Sequence, residues 1–92
     1  MIDNTKILHD ISTHEVFTVI DGNKAYVEYQ LDDDKLDILH TVVPHPLEGQ
    51  GIASALVKFA YDYALANNLK PAATCPYAKV WLQRHPEYVA GD

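Results

Sequence analysis

The feature that most constrains the fold is an apolar strand that runs through a polar turn with two glycines into a long amphipathic helix. The strand is predicted over Leu36–Val43, the turn contains Gly49 and Gly51, and the helix is predicted over Gly51–Asn68. Glycine lets the backbone approach a ligand closely, and the first N–H groups of a helix have no intrahelical acceptor. An anion such as a pyrophosphate satisfies these donors and meets the positive end of the helix dipole. The pattern predicts a phosphate-binding turn, although the same glycines also suit a plain tight turn.

The segment before this unit has the alternation of β-strands. Strands are predicted over Lys6–Ile11, Glu15–Ile20 and Ala25–Leu31, the last with regular exchange of apolar and polar residues. Asp21-Gly22-Asn23 marks a tight hairpin between the second and third strands. The acidic run that follows the third strand is interpreted as a solvated turn, because no further ligands follow at the spacing of a calcium loop.

The second half of the chain completes a parallel crossover. The strand over Leu36–Val43 is more continuously apolar than the others, which predicts a central strand covered on both faces and places His40 in a buried strand. A fifth strand, Leu69–Thr74, follows the helix and should lie parallel to the fourth. The predicted class is α+β, with a mixed, mostly antiparallel sheet of about five strands, a central crossover helix and a C-terminal helix.

The faces and ends of the two helices are also predicted. In the main helix the apolar stripe comprises Ile52, Leu56, Phe59 and Tyr63, and Asn67-Asn68 suits a left-handed C-cap. The C-terminal helix should begin at Pro76 after an N-cap at Cys75 and stop at His85-Pro86. Its Tyr77 and Trp81 lie four residues apart on one face, which favours core packing over an aromatic ligand platform.

Length and composition exclude several classes of protein. The 92 residues suffice for a single domain, residues 1–92, and the net charge of −6 with only seven basic residues argues against a nucleic-acid partner. No apolar run spans a bilayer, and no signal peptide is evident, so no membrane association and a cytoplasmic location are expected. One cysteine and five scattered histidines do not have zinc-site spacing, so no metal is predicted.

The order of elements and a few local motifs resemble the GNAT superfamily of N-acetyltransferases, and in particular its small, minimal GNAT-like family of predicted acetyltransferases. The matching features are His40-Thr41 on the fourth strand, Gly49-x-Gly51-Ile52-Ala53 in the turn, Cys75 after the fifth strand, and the segment Arg84-His85-Pro86-Glu87-Tyr88. They extend over most of residues 38–88, whereas the N-terminal hairpins match only in pattern.

The resemblance implies a minimal GNAT-like fold and a binding site for acetyl-CoA. In GNAT proteins the glycine turn holds the pyrophosphate of coenzyme A, and the fourth strand splays from the fifth to admit the pantetheine arm. Carried over to this sequence, the pantetheine contacts are the backbones of Val42 and Val43. The implied pyrophosphate contacts are Gly49, Gln50, Gly51, Ile52, Ala53 and Ser54.

The candidate catalytic residues are Cys75 and His40. A thiol at a helix N-terminus has a lowered pKa, and Cys75 can then accept the acetyl group or act as an acid or base at the departing thiolate. Its alternative role is that of a small buried hydrophobe. His40 can act as a base, and its alternative is a hydrogen-bonded core histidine. His85 and Tyr88 are interpreted as residues that fix the chain end.

Two departures from the superfamily pattern bear on function. Glu48 stands where the wider superfamily has Arg or Gln, so it places an unfavourable charge near the phosphates. Only Ser12-Thr13-His14 separates the first two strands, where larger GNAT enzymes have helices that cover the acceptor. The sequence therefore leaves two hypotheses: acetyl transfer to an unidentified small-molecule or protein amine, or a non-catalytic coenzyme A or acyl-CoA binding module or protein-interaction domain.

Overall fold

The structure of the protein is a computed structural model that describes residues 6–89. Residues 1–5, on which the expectation about a signal peptide rests, lie outside the described part. The strands are β1 (Leu8–Asp10), β2 (Glu15–Ile20), β3 (Asn23–Asp32), β4 (Lys35–Val42) and β5 (Lys70–Ala73); the helices are α1 (Ile52–Ala66) and α2 (Pro76–Arg84). Short 3₁₀ turns occupy His45–Leu47 and Pro86–Tyr88.

All five strands form one sheet in the order β1-β2-β3-β4-β5. The first three pairings are antiparallel, and β5 lies parallel to β4 after the crossover through α1. The β2–β3 hairpin closes with Asp21 and Gly22 at φ angles of 52° and 79°, which is the left-handed backbone that short hairpins need. The predicted α+β class and the mixed five-stranded sheet are confirmed.

A β-bulge divides β4 into two halves with opposite side-chain phase. Glu28 pairs with His40 but the next residue of β3, Tyr29, pairs with Ile38, so Leu39 is the extra residue. Before the bulge Ile38 is buried, and after it Thr41 lies opposite the buried Val27. His40 is therefore turned to the opposite face and is exposed. The prediction that His40 is buried is wrong, because the bulge reverses the alternation. The prediction that β4 is covered on both faces is also wrong, because its buried residues, Leu36 and Ile38, lie on one face only.

The core lies between α1 and the inner face of the sheet. Its α1 residues are Ile52, Leu56, Val57, Ala60, Tyr61 and Ala64, all almost fully buried. The predicted stripe is thus rotated, because Phe59 and Tyr63 are only partly buried at the flank of the core. Small side chains at Ala60 and Ala64 bring the helix close to the strands, and the larger rings then pack beside the contact rather than within it.

The outer face of the sheet carries a cation over two aromatic rings. Lys24 Nζ lies 4.8 Å from the ring centre of Phe17 and 5.7 Å from that of Tyr26. The same ammonium group contacts Glu15 Oε1 at 2.7 Å. A lysine stem and a paired charge thus shield apolar rings on the sheet face that α1 does not cover.

Tyr61 connects α1 to the edge strand β5. Its hydroxyl group donates a hydrogen bond of 2.6 Å to the carbonyl oxygen of Ala72, and burial raises the pKa of the Tyr61 phenol. The ring also packs against Trp81 of α2, with 5.7 Å between the ring centres. One side chain therefore ties together α1, β5 and α2. Across residues 6–89, no helix is long and apolar enough to cross a membrane.

Replacing Tyr61 with Phe keeps the ring and removes the hydrogen bond to Ala72. Because the lost bond is buried, the free energy of unfolding should fall by about 1–2 kcal/mol. Urea unfolding followed by circular dichroism measures this change. An unfolding free energy equal to that of the parent would show that the hydroxyl group adds nothing to the docking of β5 on α1.

Candidate functional site

The connection from β4 to α1 has a backbone that only glycine adopts readily at two positions. After Val42 the chain forms the 3₁₀ turn His45–Leu47, in which Leu47 is buried and holds the turn against the core. Gly49 and Gly51 then have φ angles of 81° and 78°, in the left-handed region. Gly51 is the N-cap of α1 and contributes no side-chain cap. The first N–H groups of α1 are therefore not capped by a side chain.

Six consecutive backbone N–H groups in this turn lack a protein acceptor. Within the described residues, no carbonyl or side-chain oxygen accepts a hydrogen bond from the N–H groups of Gly49 to Ser54. The helical pattern begins only with the N–H of Ala55, which donates to the carbonyl oxygen of Gly51 at 3.1 Å. Unpaired donors at the positive end of a helix form an anion site, and a phosphate is the group that uses several of them at once.

These donors border an open pocket of about 250 Å³. Its lining residues are Val43, Leu47, Glu48, Gly49, Gly51, Ile52, Ala53, Ser54 and Tyr77. Most residues predicted for the coenzyme A site therefore come together around one cavity. Val42 and Gln50 do not line it: Val42 is 39% exposed at the end of β4, and the Gln50 side chain folds back to the carbonyl oxygen of Pro46.

Beside the pocket, β4 and β5 part. Their last parallel pair is Ile38 with Ala73, after which the N–H groups of Thr74 and Cys75 both donate to the carbonyl oxygen of Ile38 at 3.0 Å. The carboxylate of Asp37 also accepts from Thr74, from its N–H at 2.7 Å and its hydroxyl at 2.8 Å. The chain then turns into α2, while β4 continues to Val42 without β5 beside it. The parting of the strands opens a crevice at the carboxyl ends of both.

Cys75 lies at the N-cap of α2, as predicted, but its thiol points into the protein. The residue is 6% exposed, and its Sγ lies 3.4 Å from Thr41 Oγ1 on the second half of β4. It does not line the pocket. His40 is the neighbour of Thr41 in sequence but faces the opposite side of the sheet. The two candidate catalytic side chains are therefore separated from each other and from the pocket.

Tyr77 is a site residue that the sequence interpretation missed. Its partner in the predicted pair, Trp81, is 4% exposed in the core, whereas Tyr77 is 42% exposed and lines the pocket. The first turn of α2 extends beyond β5. Tyr77 is therefore exposed although it lies on the same helix face as the buried Trp81. The order of the chain gave a partial signal, because Tyr77 follows β5 by four residues and so lies near the end of the sheet where the glycine turn lies, but its exposure depends on the tertiary structure.

Glu48 is the one carboxylate among the residues that line the pocket. Its Oε1 lies 3.1 Å from Nδ1 of His45, and its side chain is 59% exposed. An anion bound at the glycine turn would meet this negative charge across a partly solvated rim.

The parallel β4–α1–β5 unit, the parting of its strands and the open glycine turn define a small α+β protein with unpaired backbone donors at the start of its crossover helix. Residues 15–91 match the family of GCN5-related N-acetyltransferases, and the chain belongs to that family.

Similar proteins agree with this assignment. The chain is 30% identical to Protein NATD1 of Xenopus tropicalis over 84 residues, which cover 88% of the chain and 77% of that protein. Protein NATD1 of Homo sapiens is 29% identical over 84 residues, covering 88% of the chain and 74% of its own length. The solution NMR structure of a GCN5-like candidate N-acetyltransferase from Staphylococcus aureus superposes with a TM-score of 0.73 at 31% identity, over 94% of this chain and 85% of that one.

The buried position of Cys75 makes its reactivity a direct test of the site. Iodoacetamide should label the folded protein at least about tenfold more slowly than the urea-unfolded protein at the same pH, because the thiol is packed against Thr41. Intact mass measured over time gives both rates, and the single cysteine makes the labelled position unambiguous. Labelling of the folded protein as fast as the unfolded one would instead mean that the thiol faces the crevice.

Proposed function

We propose that the protein binds acetyl-CoA with its pyrophosphate at the glycine turn and transfers the acetyl group to an amine. The observation that carries this proposal is the run of six unpaired N–H groups from Gly49 to Ser54 at the edge of the pocket. The N–H groups of Gly51 to Ser54 are the free donors of a helix start, those of Gly49 and Gln50 extend the run, and a diphosphate would satisfy several of them at once. The residues present thus fit the ligand that the family implies.

The pantetheine arm and the thioester would then lie along β4, where that strand has lost β5 as a neighbour. Beyond the pair of Ile38 and Ala73, backbone groups of β4 on this side are free to bind an extended ligand. Val43 lines the pocket between the turn and the crevice and would contact the start of the arm. Backbone donors at the same edge would stabilise the negative charge that develops on the thioester oxygen.

In the transfer, the amine nitrogen attacks the carbonyl carbon of the thioester, a C–N bond forms, and the C–S bond breaks to release the thiolate of coenzyme A. Tyr77 is the phenol closest in sequence to the parting of the strands and lines the pocket, so it is a candidate proton donor for that thiolate. The acceptor is a small-molecule or protein amine, and no helix between β1 and β2 restricts its approach. A reducing compartment such as the cytoplasm suits a protein whose one cysteine is a free thiol.

A coenzyme A binding module without turnover is the second candidate. The observation that favours it is the position of the two candidate catalytic side chains. The Cys75 thiol is buried against Thr41, and His40 faces the outer side of the sheet. Such a protein would hold acetyl-CoA or another acyl-CoA and present it, or itself, to a partner.

One experiment separates these functions. The purified protein is titrated with coenzyme A and with acetyl-CoA by calorimetry, and then incubated with acetyl-CoA and a panel of small amines and lysine peptides while free thiol and product mass are followed. Binding with thiol release that depends on an amine supports the acetyltransferase. Binding without release for every amine supports the module. An absence of binding at millimolar ligand overturns both.

The left-handed backbone of Gly51 sets the direction of the donors in the turn. Gly51→Val should weaken coenzyme A binding by about tenfold, because a β-branched residue strains this backbone by roughly 1–3 kcal/mol and turns the N–H groups away. An added Cβ meets no atom within 4 Å, so the fold should survive. Calorimetry measures the affinity.

The matched control is Gly22→Val in the β2–β3 hairpin. Gly22 has a φ of 79° and the same free space around an added Cβ, but it lies in a hairpin that does not line the pocket. It should cost similar stability and leave the affinity unchanged. Equal effects of both variants on affinity would mean that general strain, rather than the turn, governs binding.

Glu48 places a negative charge at the rim of the pocket. Replacing it with Gln removes a charge at the rim of the pocket, and coenzyme A should bind about threefold more tightly at low salt, the size expected for a charge pair roughly 6 Å apart in water. The gain should vanish at high salt, where such charges are screened. Glu28→Gln, on the exposed outer face of β3, changes the net charge equally and should leave the affinity unaltered. An identical gain from both variants would assign the effect to net charge alone.

A further inference from the structure

Trp81 reaches from the C-terminal helix to the glycine turn. It is the only tryptophan of the chain and is 4% exposed. Its indole N–H donates a hydrogen bond of 2.9 Å to the hydroxyl oxygen of Ser54, which lies 27 residues away in sequence in the first turn of α1. Because an indole nitrogen is only a donor, Ser54 must be the acceptor in this bond. The hydroxyl proton of Ser54 is therefore free to point elsewhere.

That proton has no protein acceptor in the described part of the chain. The hydrogen bond from Trp81 is the only one that the Ser54 side chain makes there. A serine in a first helical turn commonly donates back to a carbonyl oxygen three or four residues earlier, and Ser54 does not do so. Ser54 lines the pocket, and its backbone N–H is also unpaired. One residue thus offers two donors at the anion site.

The indole is held firmly in the orientation that this bond requires. His85 stacks on it, with 3.8 Å between ring centres, and the edge contact with Tyr88 measures 4.9 Å. The Nδ1–H of His85 donates to the carbonyl oxygen of Trp81 at 2.8 Å, so the stacked ring is itself fixed. Tyr61 packs on a further side. The ring cluster leaves the indole N–H directed at Ser54.

We propose that Trp81 is a positioning residue for ligand binding: by donating to the oxygen of Ser54, it keeps the Ser54 hydroxyl from turning back to the helix and presents its proton to a phosphate oxygen of the bound coenzyme A. The inference rests on the proposed function, since it needs a phosphate in the pocket. A hydroxyl group that accepts one hydrogen bond donates a stronger hydrogen bond through its own proton. The gain in strength is greatest when the acceptor is charged, as a phosphate oxygen is. Trp81 thereby affects the ligand without touching it.

A double-mutant cycle tests this relay. Coenzyme A is titrated calorimetrically into the parent, Trp81→Phe, Ser54→Ala and the double variant. Ser54→Ala should weaken binding by about tenfold and Trp81→Phe by about fivefold, as expected for loss and weakening of a charge-assisted hydrogen bond. In the Ser54→Ala background, Trp81→Phe should add no further loss. An unchanged affinity of Trp81→Phe, or an equal loss in both backgrounds, overturns the proposal.

Tyr61→Phe is the control for loss of a hydrogen bond in the same aromatic cluster. It removes the bond to Ala72 and leaves Ser54 alone, so coenzyme A affinity should stay within twofold of the parent. A loss as large as that of Trp81→Phe would assign the effect to general loosening of the cluster and would also overturn the proposal. Ser54→Thr keeps a hydroxyl group and should recover most of the affinity lost in Ser54→Ala.

A spectroscopic reading is independent of whether Trp81→Phe folds well. The single tryptophan gives one indole N–H cross-peak in a ¹⁵N-resolved NMR spectrum. Coenzyme A should shift this peak in the parent and shift it by less than half as much in Ser54→Ala; equal shifts overturn the proposal. Failure of the proposed function is distinct, because the parent itself then binds no coenzyme A, whereas failure of the relay alone leaves the parent binding normally.

Discussion

Two acceptors on β4, the carbonyl oxygen of Ile38 and the carboxylate of Asp37, end the pairing between β4 and β5. The first takes two successive N–H groups, and the second takes both donors of Thr74, so β5 stops there and the chain turns outward. The arrangement around the proposed site depends on this end of the β4–β5 pairing. It leaves the end of β4 without a neighbour and starts α2 beside that end. It also brings Trp81 within reach of the turn that opens α1.

The bulge at Leu39 determines which side chains of β4 face the crevice. It turns Thr41 inward, where it meets the thiol of Cys75, and it turns His40 outward to solvent. The crevice is then bounded by backbone rather than by titratable side chains of β4. In the proposed function, the thioester would therefore be bound and oriented by the main chain. The titratable side chains that line the pocket, Glu48 and Tyr77, come from the glycine turn and from α2 rather than from β4.

Most of the fold could be predicted because its elements carry local signals. The hairpin at Asp21-Gly22, the glycine turn before α1 and the Cys75-Pro76 start of α2 each depend on backbone preferences that neighbouring residues determine. The bulge could not be predicted, since the mixture of apolar and polar residues in β4 gives no sign of where its alternation reverses. The same holds for the hydrogen bond between Trp81 and Ser54, which depends on how two helices pack. Tyr77 was misread because its helix extends past the sheet, which only the tertiary structure defines.

The left-handed backbone at Gly49 and Gly51 has a consequence for how such a site can change over generations. Where main-chain N–H groups bind the ligand, recognition depends mainly on the φ angles of the two glycines, which position these donors, and less on the side chains. Residues between and after the glycines, Ser54 excepted, are then free to drift as long as they fit the turn. Identity of about 30% to similar proteins is compatible with an unchanged backbone here. A family that recognises its ligand in this way would be expected to diverge quickly around the pocket and slowly in the geometry that encloses it.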